Sequence, residues 1–233
     1  MFELTDNLKS ELESFDTPTV CNALEVVAPK RRGYGYTFEP LLCIRPELKS
    51  LVGIARTARI RSALPPDWAV SETRRISQAY YRYIDAGPKP SVIVIQDVDP
   101  QRAFGSFWGE VNSSIHWGLG CRAVVTDGSV RDLPDLAPGF QVLASRIVPS
   151  HAFVHVVDFG EDVTVAGMTV HDGDLLHLDR HGAVVIPHDV ASEIRTAALG
   201  IQARERKIIE AARRPGFSAE SLRKIESMEA ESH

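Results

Sequence analysis

The chain has 233 residues, a formal net charge of −5, and a composition 44% hydrophobic and 24% charged. That length fits one domain with or without terminal extensions. The acidic balance offers no basic footprint for nucleic acid, and no apolar run approaches a membrane span, so neither is an expected partner.

Met1-Phe2-Glu3-Leu4-Thr5-Asp6 lacks a signal-peptide pattern. Cys21, Cys43 and Cys121 are few, widely spaced and odd in number, which suits reduced thiols. A cytoplasmic location is expected. Thr5 to Ala28 reads as two short helical pieces around Asp16-Thr17-Pro18, a helix cap with proline just inside. Lys30-Arg31-Arg32-Gly33 belongs to a solvated loop, because no strand precedes it and no helix follows to cradle phosphate. Pro65 to Tyr83 is predicted as a helix with Trp68, Ile76, Ala79, Tyr80 and Tyr83 on one side.

Gly87-Pro88-Lys89-Pro90 leads into Val92-Ile93-Val94-Ile95, a β-branched run suited to a strand buried on both faces. From Glu110, residues Val111, Ile115, Gly118 and Leu119 fall at helical spacing, and Gly118 and Gly120 punctuate the end. Ala123-Val124-Val125 makes a second buried strand, closed by an Asp127-Gly128 turn. The pattern is a β-loop-α-β unit with parallel strands and a right-handed crossover. A helix of about nine residues runs roughly 14 Å, and a return strand of about six runs roughly 20 Å. Those lengths nearly cancel, so Glu110 and Arg131 should meet at the carboxyl edge of the sheet, where α/β folds bind ligands.

Residues 140 to 187 read as strand-rich, with turn signals at Pro149, Asp158-Phe159-Gly160, Gly167 and Asp172-Gly173. A strand through Ala152 to Val157 would put His151 and His155 about 13 Å apart, too far to share a metal. His151, following Pro149-Ser150, could still reach a substrate from a loop. His171, His177, His181 and His188 are expected at the surface. From Asp189 the pattern turns helical, with Val190, Ile194, Ala197, Ala198, Ile201 and Ile208 in register until Pro215-Gly216. Ser218 can cap a short terminal helix. Residues 1–188 are therefore read as an α/β domain and 189–233 as a helical extension. The extension either packs on a neighbouring subunit or folds back on its own domain.

Glu110, Arg131 and Asp132 form a usable set for an anionic oxo acid: a carboxylate, a fixed cation and a ligand for a hard cation. Two plainer readings compete. Asp132-Leu133-Pro134 is also a good helix start, and an acid such as Glu110 favours the first turn of any helix. There is no Ser-His-Asp ordering, no nucleophile elbow, and no lysine that stands out for imine chemistry.

Gly109-Glu110 is followed after twenty residues by Arg131-Asp132, with Asp127-Gly128-Ser129-Val130 leading in. This resembles the signature of the RraA-like family, which includes class II pyruvate aldolases acting on 4-hydroxy-4-methyl-2-oxoglutarate and 4-carboxy-4-hydroxy-2-oxoadipate. Asp16 to Leu24 resembles the family's opening helix, Gly53 to Ala58 its first core strand, and Val165 to Asp174 with Asp179 to Pro187 its late hairpin. The resemblance implies an α/β fold: one RraA-like β/β/α domain with a parallel βαβ unit, a strand-rich second half and a C-terminal helical extension. It implies a homotrimer or hexamer, and a metal-dependent aldolase that releases pyruvate from a small anionic 2-oxo acid. Oxaloacetate decarboxylation would share the same pyruvate enolate.

In that scheme Asp132 binds Mg²⁺ or Mn²⁺, and Arg131 reaches the 2-oxo oxygen and carboxylate. The backbone N–H groups of Gly109, Glu110, Val111 and Asn112 receive the substrate carboxylate at a helix start. Glu110 holds or deprotonates a water on the metal, and Glu205 or Glu210 of a neighbouring subunit joins the outer shell. Two alternatives stand beside it: a non-catalytic regulator binding a ribonuclease, and another metal-dependent lyase or hydrolase on the same scaffold. Phe107 and Trp108 differ from the smaller residue family members often carry before this glycine, and are expected to shape the pocket.

Overall fold

Val92 and Val94 project into one apolar core and Ile93 and Ile95 into another, all four inaccessible to solvent. That two-residue alternation, apolar on both faces, makes their strand a centre of the sheet rather than an edge. The computed structural model describes residues 2–230, with side chains to Ser227. The elements run α1 (Asp6–Glu13), α2 (Thr17–Val27), β1 (Leu42–Cys43), β2 (Leu51–Arg61), α3 (Val70–Ala86), β3 (Ser91–Asp97) and β4 (Ser106–Trp108). There follow α4 (Glu110–Gly118), β5 (Cys121–Val130), β6 (Gln141–Ile147), β7 (His155–Phe159), β8 (Val163–Val165) and β9 (Met168–Val170). The chain ends with β10 (Leu175–Asp179), β11 (Gly182–Ile186), α5 (Ile194–Ala212) and α6 (Ala219–Ala230).

Nine strands form a mixed sheet in the order β1-β6-β5-β3-β2-β10-β11, with β4 added to β5 and β7 to β2. The centre is parallel: β2 with β3, β3 with β5, β5 with β6, and β4 with β5. Antiparallel partners finish both sides, β1 on β6 and β10-β11 on β2. One face packs Tyr80 and Ile84 of α3 against Ile93, Ile95, Trp108 and Phe140. The other is covered by the β8-β9 hairpin through Val163, Val165, Met168 and Val170. A third cluster joins α1, α2 and the first half of α5 to β10 and β11 through Leu12, Val20, Leu175, Ile194 and Ala198. Leu199 and Ile209 of α5 remain exposed.

The opening helices form as their caps dictate. The Thr5 hydroxyl accepts from Leu8 N–H, and the Asp16 carboxylate accepts from Thr19 N–H at 2.9 Å ahead of Pro18. Ser218 likewise accepts from Ser221 N–H before α6.

Several expectations are corrected. Asp127-Gly128 is not a turn. It lies inside β5, where the register with β6 shifts between Thr126 and Ser129, so a bulge replaces the stop. The third helix begins at Val70, not Pro65, although Trp68 Nε1 still donates to Thr73 Oγ1 at 3.1 Å. Asp158 and Phe159 end β7 rather than forming a turn, with Asp158 paired to Arg59 at 2.7 Å. The strand predicted from Ala152 begins only at His155, because Ala152 takes a positive φ of 44°. His151 lies in that loop, exposed, its Nδ1 on the Ala152 carbonyl at 2.7 Å. His177 is not at the surface. It is fully buried against the Thr17 hydroxyl and the carbonyls of Leu12 and Phe15.

His116, on the inner face of α4, supplies a pH test of the core. Burial pulls its pKa down to about 4, although the Asn112 carbonyl it bonds at 2.7 Å opposes this. The unfolded chain takes up a proton below about 6.5, whereas the folded chain stays neutral to about 4. Stability contributed by neutral His116 is therefore present above pH 6.5 and lost as pH falls to 4, by an amount on the order of 3 kcal/mol. His177 is depressed in the same direction, while buried Asp127, raised to about 6, acts in the opposite one. The difference between wild type and His116→Asn isolates one group. Urea unfolding from pH 7 to pH 4 should show the gap between them shrinking as the pH drops. A gap that stays constant would refute a neutral buried His116.

Candidate functional site

The site is assembled by β4, a short strand that sequence periodicity did not reveal. It runs parallel to the end of β5, with Ser106 opposite Ser129 and Trp108 opposite Val130. Arg131 N–H donates to the Trp108 carbonyl at 2.9 Å. The residues that follow each strand, Gly109 on one and Arg131-Asp132 on the other, consequently emerge side by side at the carboxyl edge.

Gly109 is buried, and a Cβ there would stand 2.5 Å from Asp132 Oδ2 and 3.2 Å from Arg131 Cγ. Only glycine permits that approach. Gly109 is also the N-cap of α4 and has no side chain with which to cap it. Asp132 Oδ2 supplies the missing acceptor, taking the Glu110 N–H at 3.3 Å. The N–H groups of Val111 and Asn112 lie in the same first turn, where no intrahelical acceptor exists. The helix start thus keeps donors and a partial positive charge for an anion.

Arg131 Nε lies 3.5 Å from Asp132 Oδ2, and the two side chains are 34% and 36% exposed. Asp132 adopts the left-handed conformation, φ 52° and ψ 43°, uncommon for a residue with a Cβ. The helix-start reading holds for the position of Asp132 and fails for its side chain. Asp132 precedes a 3-10 turn at Leu133–Asp135, yet its side chain makes no capping bond there. It is directed at α4 instead. Among the described residues no three potential ligands cluster as a metal group, so a cation here would rest on one carboxylate.

Glu110 is exposed at the mouth of this arrangement, and Val111 beside it is 66% exposed. Asn112 contributes its backbone N–H only. Its side chain turns inward, Nδ2 donating to the Phe107 carbonyl at 2.5 Å and Oδ1 accepting from Tyr81 O–H at 2.7 Å. Phe107 and Trp108 do not shape a pocket. Trp108 is fully buried, stacked on Phe140 at 5.5 Å and against His116 at 4.7 Å. A cavity of about 630 Å³ lies elsewhere, lined by Phe2, Lys89, Asp172 and His188, and includes none of these residues.

A buried polar lattice holds the loop that feeds β4. Asp97 accepts from Ala103 N–H at 2.8 Å, and Asp99 accepts from Ser62 and Ala63 N–H at 2.6 and 2.8 Å. Ser62 Oγ accepts from Gly105 N–H at 3.0 Å. Asp127 accepts from Asp97 N–H at 2.7 Å, and Arg102 stands 3.1 Å from its other oxygen. Burial raises the pKa of both Asp97 and Asp127. Sequence reading missed this set, although Asp97 ends β3 and Asp127 opens the Asp-Gly pair of the β5 bulge.

Residues 17–185 match the model of the RraA-like family, Aldolase/RraA. The chain belongs to the RraA-like family. An uncharacterized protein of Methanocaldococcus jannaschii is 30% identical over 204 residues, covering 85% of this chain and 86% of that one. Among solved structures, an uncharacterized protein from Pseudomonas syringae pv. tomato superposes with a TM-score of 0.72 at 25% identity, covering 96% of this chain and 97% of that one. A Streptomyces coelicolor protein, described as an unusual member of the RNase ES inhibitor RraA family, gives 0.69 at 21% identity, covering 88% and 97%. At that identity the likeness speaks for the fold alone.

The contact at Gly109 is directly testable. Gly109→Ala should cost at most about 1 kcal/mol, well below forced core overpacking, because the atom in the way ends a partly exposed side chain, and should push Asp132 away from the Glu110 N–H. Urea unfolding gives the first, and a crystal structure of the variant the second. An unchanged midpoint together with an unmoved Asp132 would mean that the close approach is not required.

Proposed function

We propose that this protein is a divalent-metal-dependent aldolase that cleaves a 4-hydroxy-2-oxo di- or tricarboxylic acid to pyruvate and a second oxo compound. The observation that carries the reading is Asp132, held in a left-handed conformation with its carboxylate beside Arg131 and turned away from its own 3-10 turn onto the start of α4. A backbone conformation of this kind at a charged cluster is where strain and function tend to coincide.

Retro-aldol cleavage leaves negative charge on the 2-oxo oxygen of pyruvate. Asp132 is the residue that would hold Mg²⁺ or Mn²⁺, ions that accept a single carboxylate and otherwise keep water. When bound, such an ion supplies a Lewis acid for that developing charge. Arg131 adds a fixed guanidinium beside the same position and suits a carboxylate through its planar fork. The free N–H groups of the first turn of α4 receive the substrate carboxylate. Glu110, exposed at the mouth, would hold the water that takes the proton of the substrate's 4-hydroxyl as the C3–C4 bond breaks and that returns a proton to the enolate carbon of pyruvate. Oxaloacetate decarboxylation passes through the same enolate and is an expected side activity.

A homotrimer or hexamer is part of the proposal. Val111 and Ile115 on α4, and Ile147 at the end of β6, are exposed apolar groups near this edge. A neighbouring subunit would cover them, and Glu205 or Glu210 of the neighbour's C-terminal helix is then a candidate for the outer shell. His151, exposed on the loop after β6, is kept as a possible substrate contact and given no role. A non-catalytic regulator binding a ribonuclease is the competing reading, since the Streptomyces coelicolor protein is described within an RNase ES inhibitor family, and a different metal-dependent lyase or hydrolase is another.

A panel of 4-hydroxy-2-oxo acids and oxaloacetate, assayed for pyruvate, tests the reaction class. Exhaustive chelation should abolish pyruvate release, and Mg²⁺ or Mn²⁺ should restore it. Asp132→Asn should resemble the chelated enzyme while keeping its fold by circular dichroism. Full turnover in the absence of any metal by elemental analysis would sink the assignment.

Arg131 and Glu110 separate by their variants. Loss of a preorganised charge at a developing oxyanion costs about 10²- to 10³-fold, so Arg131→Ala should fall that far. Arg131→Lys should also be poor, because a point charge cannot reproduce the fork. Glu110→Gln should lower metal-dependent exchange of pyruvate methyl protons into deuterated water by about 10²-fold. If it acted only as a first-turn acid, exchange would be nearly intact.

A further inference from the structure

The first turn of α4 is gripped from behind by a side-chain amide. Asn112 lies two residues into the helix from Glu110, and Phe107 lies two residues before Gly109. The Asn112 Nδ2 to Phe107 carbonyl bond, 2.5 Å, therefore closes a short loop around the Gly109-Glu110 step. The amide's other end is fixed by Tyr81 of α3, whose hydroxyl donates to Oδ1 at 2.7 Å. This arrangement settles the amide's orientation, because a carbonyl can only accept. A flipped amide would set oxygen against oxygen at Phe107.

His116 adds a second anchor. Its Nδ1 lies 2.7 Å from the Asn112 carbonyl, so it must donate there, and Nε2 accepts from Tyr80 O–H at 2.8 Å. Adjacent tyrosines of one helix thus reach the two halves of one residue: Tyr81 its side chain, and Tyr80, through His116, its backbone. The difference between them is position. The Tyr80–His116 pair is fully buried and acts on a carbonyl already inside the helix. The Tyr81–Asn112 pair is half-buried and acts across the turn that faces Asp132.

We propose that Tyr81 and Asn112 are positioning residues that set the α4 N–H groups against Asp132 and so govern how tightly the substrate's carboxylate is bound. The proposal rests on the carboxylate-binding role given above to that helix start. Neither side chain touches substrate in this scheme. Tyr81 acts on Asn112, Asn112 on the Phe107 to Asn112 loop, and the loop on the direction of the N–H groups. A site of this kind tolerates about 10–20° of misalignment before it loses function.

The test uses the intact chain and three variants. Tyr81→Phe removes only the hydroxyl and leaves the ring. Asn112→Asp keeps the shape but turns an acceptor oxygen on the Phe107 carbonyl. Tyr80→Phe removes a bond to the same helix and serves as the structural control. Metal-dependent exchange of pyruvate methyl protons gives KM and kcat separately, and amide hydrogen exchange followed by NMR reads Glu110 and Ser113, the first-turn N–H groups that have acceptors. Tyr81→Phe should raise KM for pyruvate about 3- to 10-fold, the loss of one neutral hydrogen bond, with a smaller change in kcat. Asn112→Asp should raise it about 10- to 100-fold, because a buried acceptor then faces an acceptor. Both should speed amide exchange at Glu110 and Ser113. Tyr80→Phe should lower Tm while KM stays within about twofold of wild type. KM values for Tyr81→Phe and Asn112→Asp that match wild type would overturn the proposal, as would an equal rise in Tyr80→Phe. A wild type that exchanges no pyruvate protons with any metal would instead overturn the aldolase reading. Amide protection would then decide this one: faster exchange at Glu110 and Ser113 upholds the positioning role, and unchanged exchange ends it.

Discussion

The register of β4 on β5 is the constraint from which the candidate site follows. A parallel pair holds equivalent points of two strands about 4.8 Å apart, so whatever leaves the ends of β4 and β5 leaves together. Trp108 opposite Val130, with Arg131 N–H on the Trp108 carbonyl, brings a glycine onto an Arg-Asp dipeptide. β4 is only three residues long and would be a weak strand alone. Its position is secured by Trp108, which is buried between Phe140 and His116, and by the Ser106 hydroxyl, which donates to the carbonyls of Trp108 and Ser129. The largest side chain near the site therefore acts as its anchor and not as its wall.

The edge on which this register ends is stiffened by carboxylates that do no solvent-facing work. Asp97 and Asp99 sit where β3 releases the chain and Asp127 at the bulge of β5, and each accepts backbone N–H groups that strand pairing no longer satisfies. An unsatisfied buried donor costs about 1–3 kcal/mol, so replacing ladder partners with carboxylate oxygens lets an irregular loop be buried. Burial raises Asp97 and Asp127, which shows that this solution is itself not free of desolvation. The gain is geometric. The loop between Asp97 and Ser106 is laced at Ala103 and Gly105, and β4 starts from a fixed point.

Much of this was legible in the residues. Val92 to Ile95 and Ala123 to Val125 announce buried parallel strands, and the intervening helix length places Glu110 and Arg131 at one edge, as the 3.3 Å contact between Glu110 N–H and Asp132 bears out. The Asp16-Thr17-Pro18 cap was equally plain, because capping is local chemistry. What escaped depends on partners distant in sequence. Ser106-Phe107-Trp108 is too short for a period, so β4 became visible only through its pairing with Ser129 and Val130. Asp127-Gly128 carries the signature of a turn but is overridden by pairing on both sides of β5, leaving a bulge. His177 looks like a surface residue until Thr17 and the end of α1 close over it. The inward direction of Asn112 depends on Tyr81, thirty-one residues earlier.

The local costs gathered at Asp132 argue about purpose. Arg131 and Asp132 are a third exposed, and an ion pair at that exposure contributes about 0–1 kcal/mol. A left-handed aspartate is unfavourable by an amount on the order of 1–3 kcal/mol. Gly109 lacks both a capping side chain and the helix-start restraint that serine or aspartate would bring. Asp132 could have capped the 3-10 turn that follows it and does not. The ion pair and the Glu110 N–H bond offset only part of these costs, and all four features converge on one oxygen, Oδ2. A structure that satisfies its buried donors so thoroughly a few residues away, around Asp97 and Asp99, has the means to avoid such conflicts. Where local rules are broken together, at a sheet edge suited to ligands, the compensating gain has to be sought outside stability.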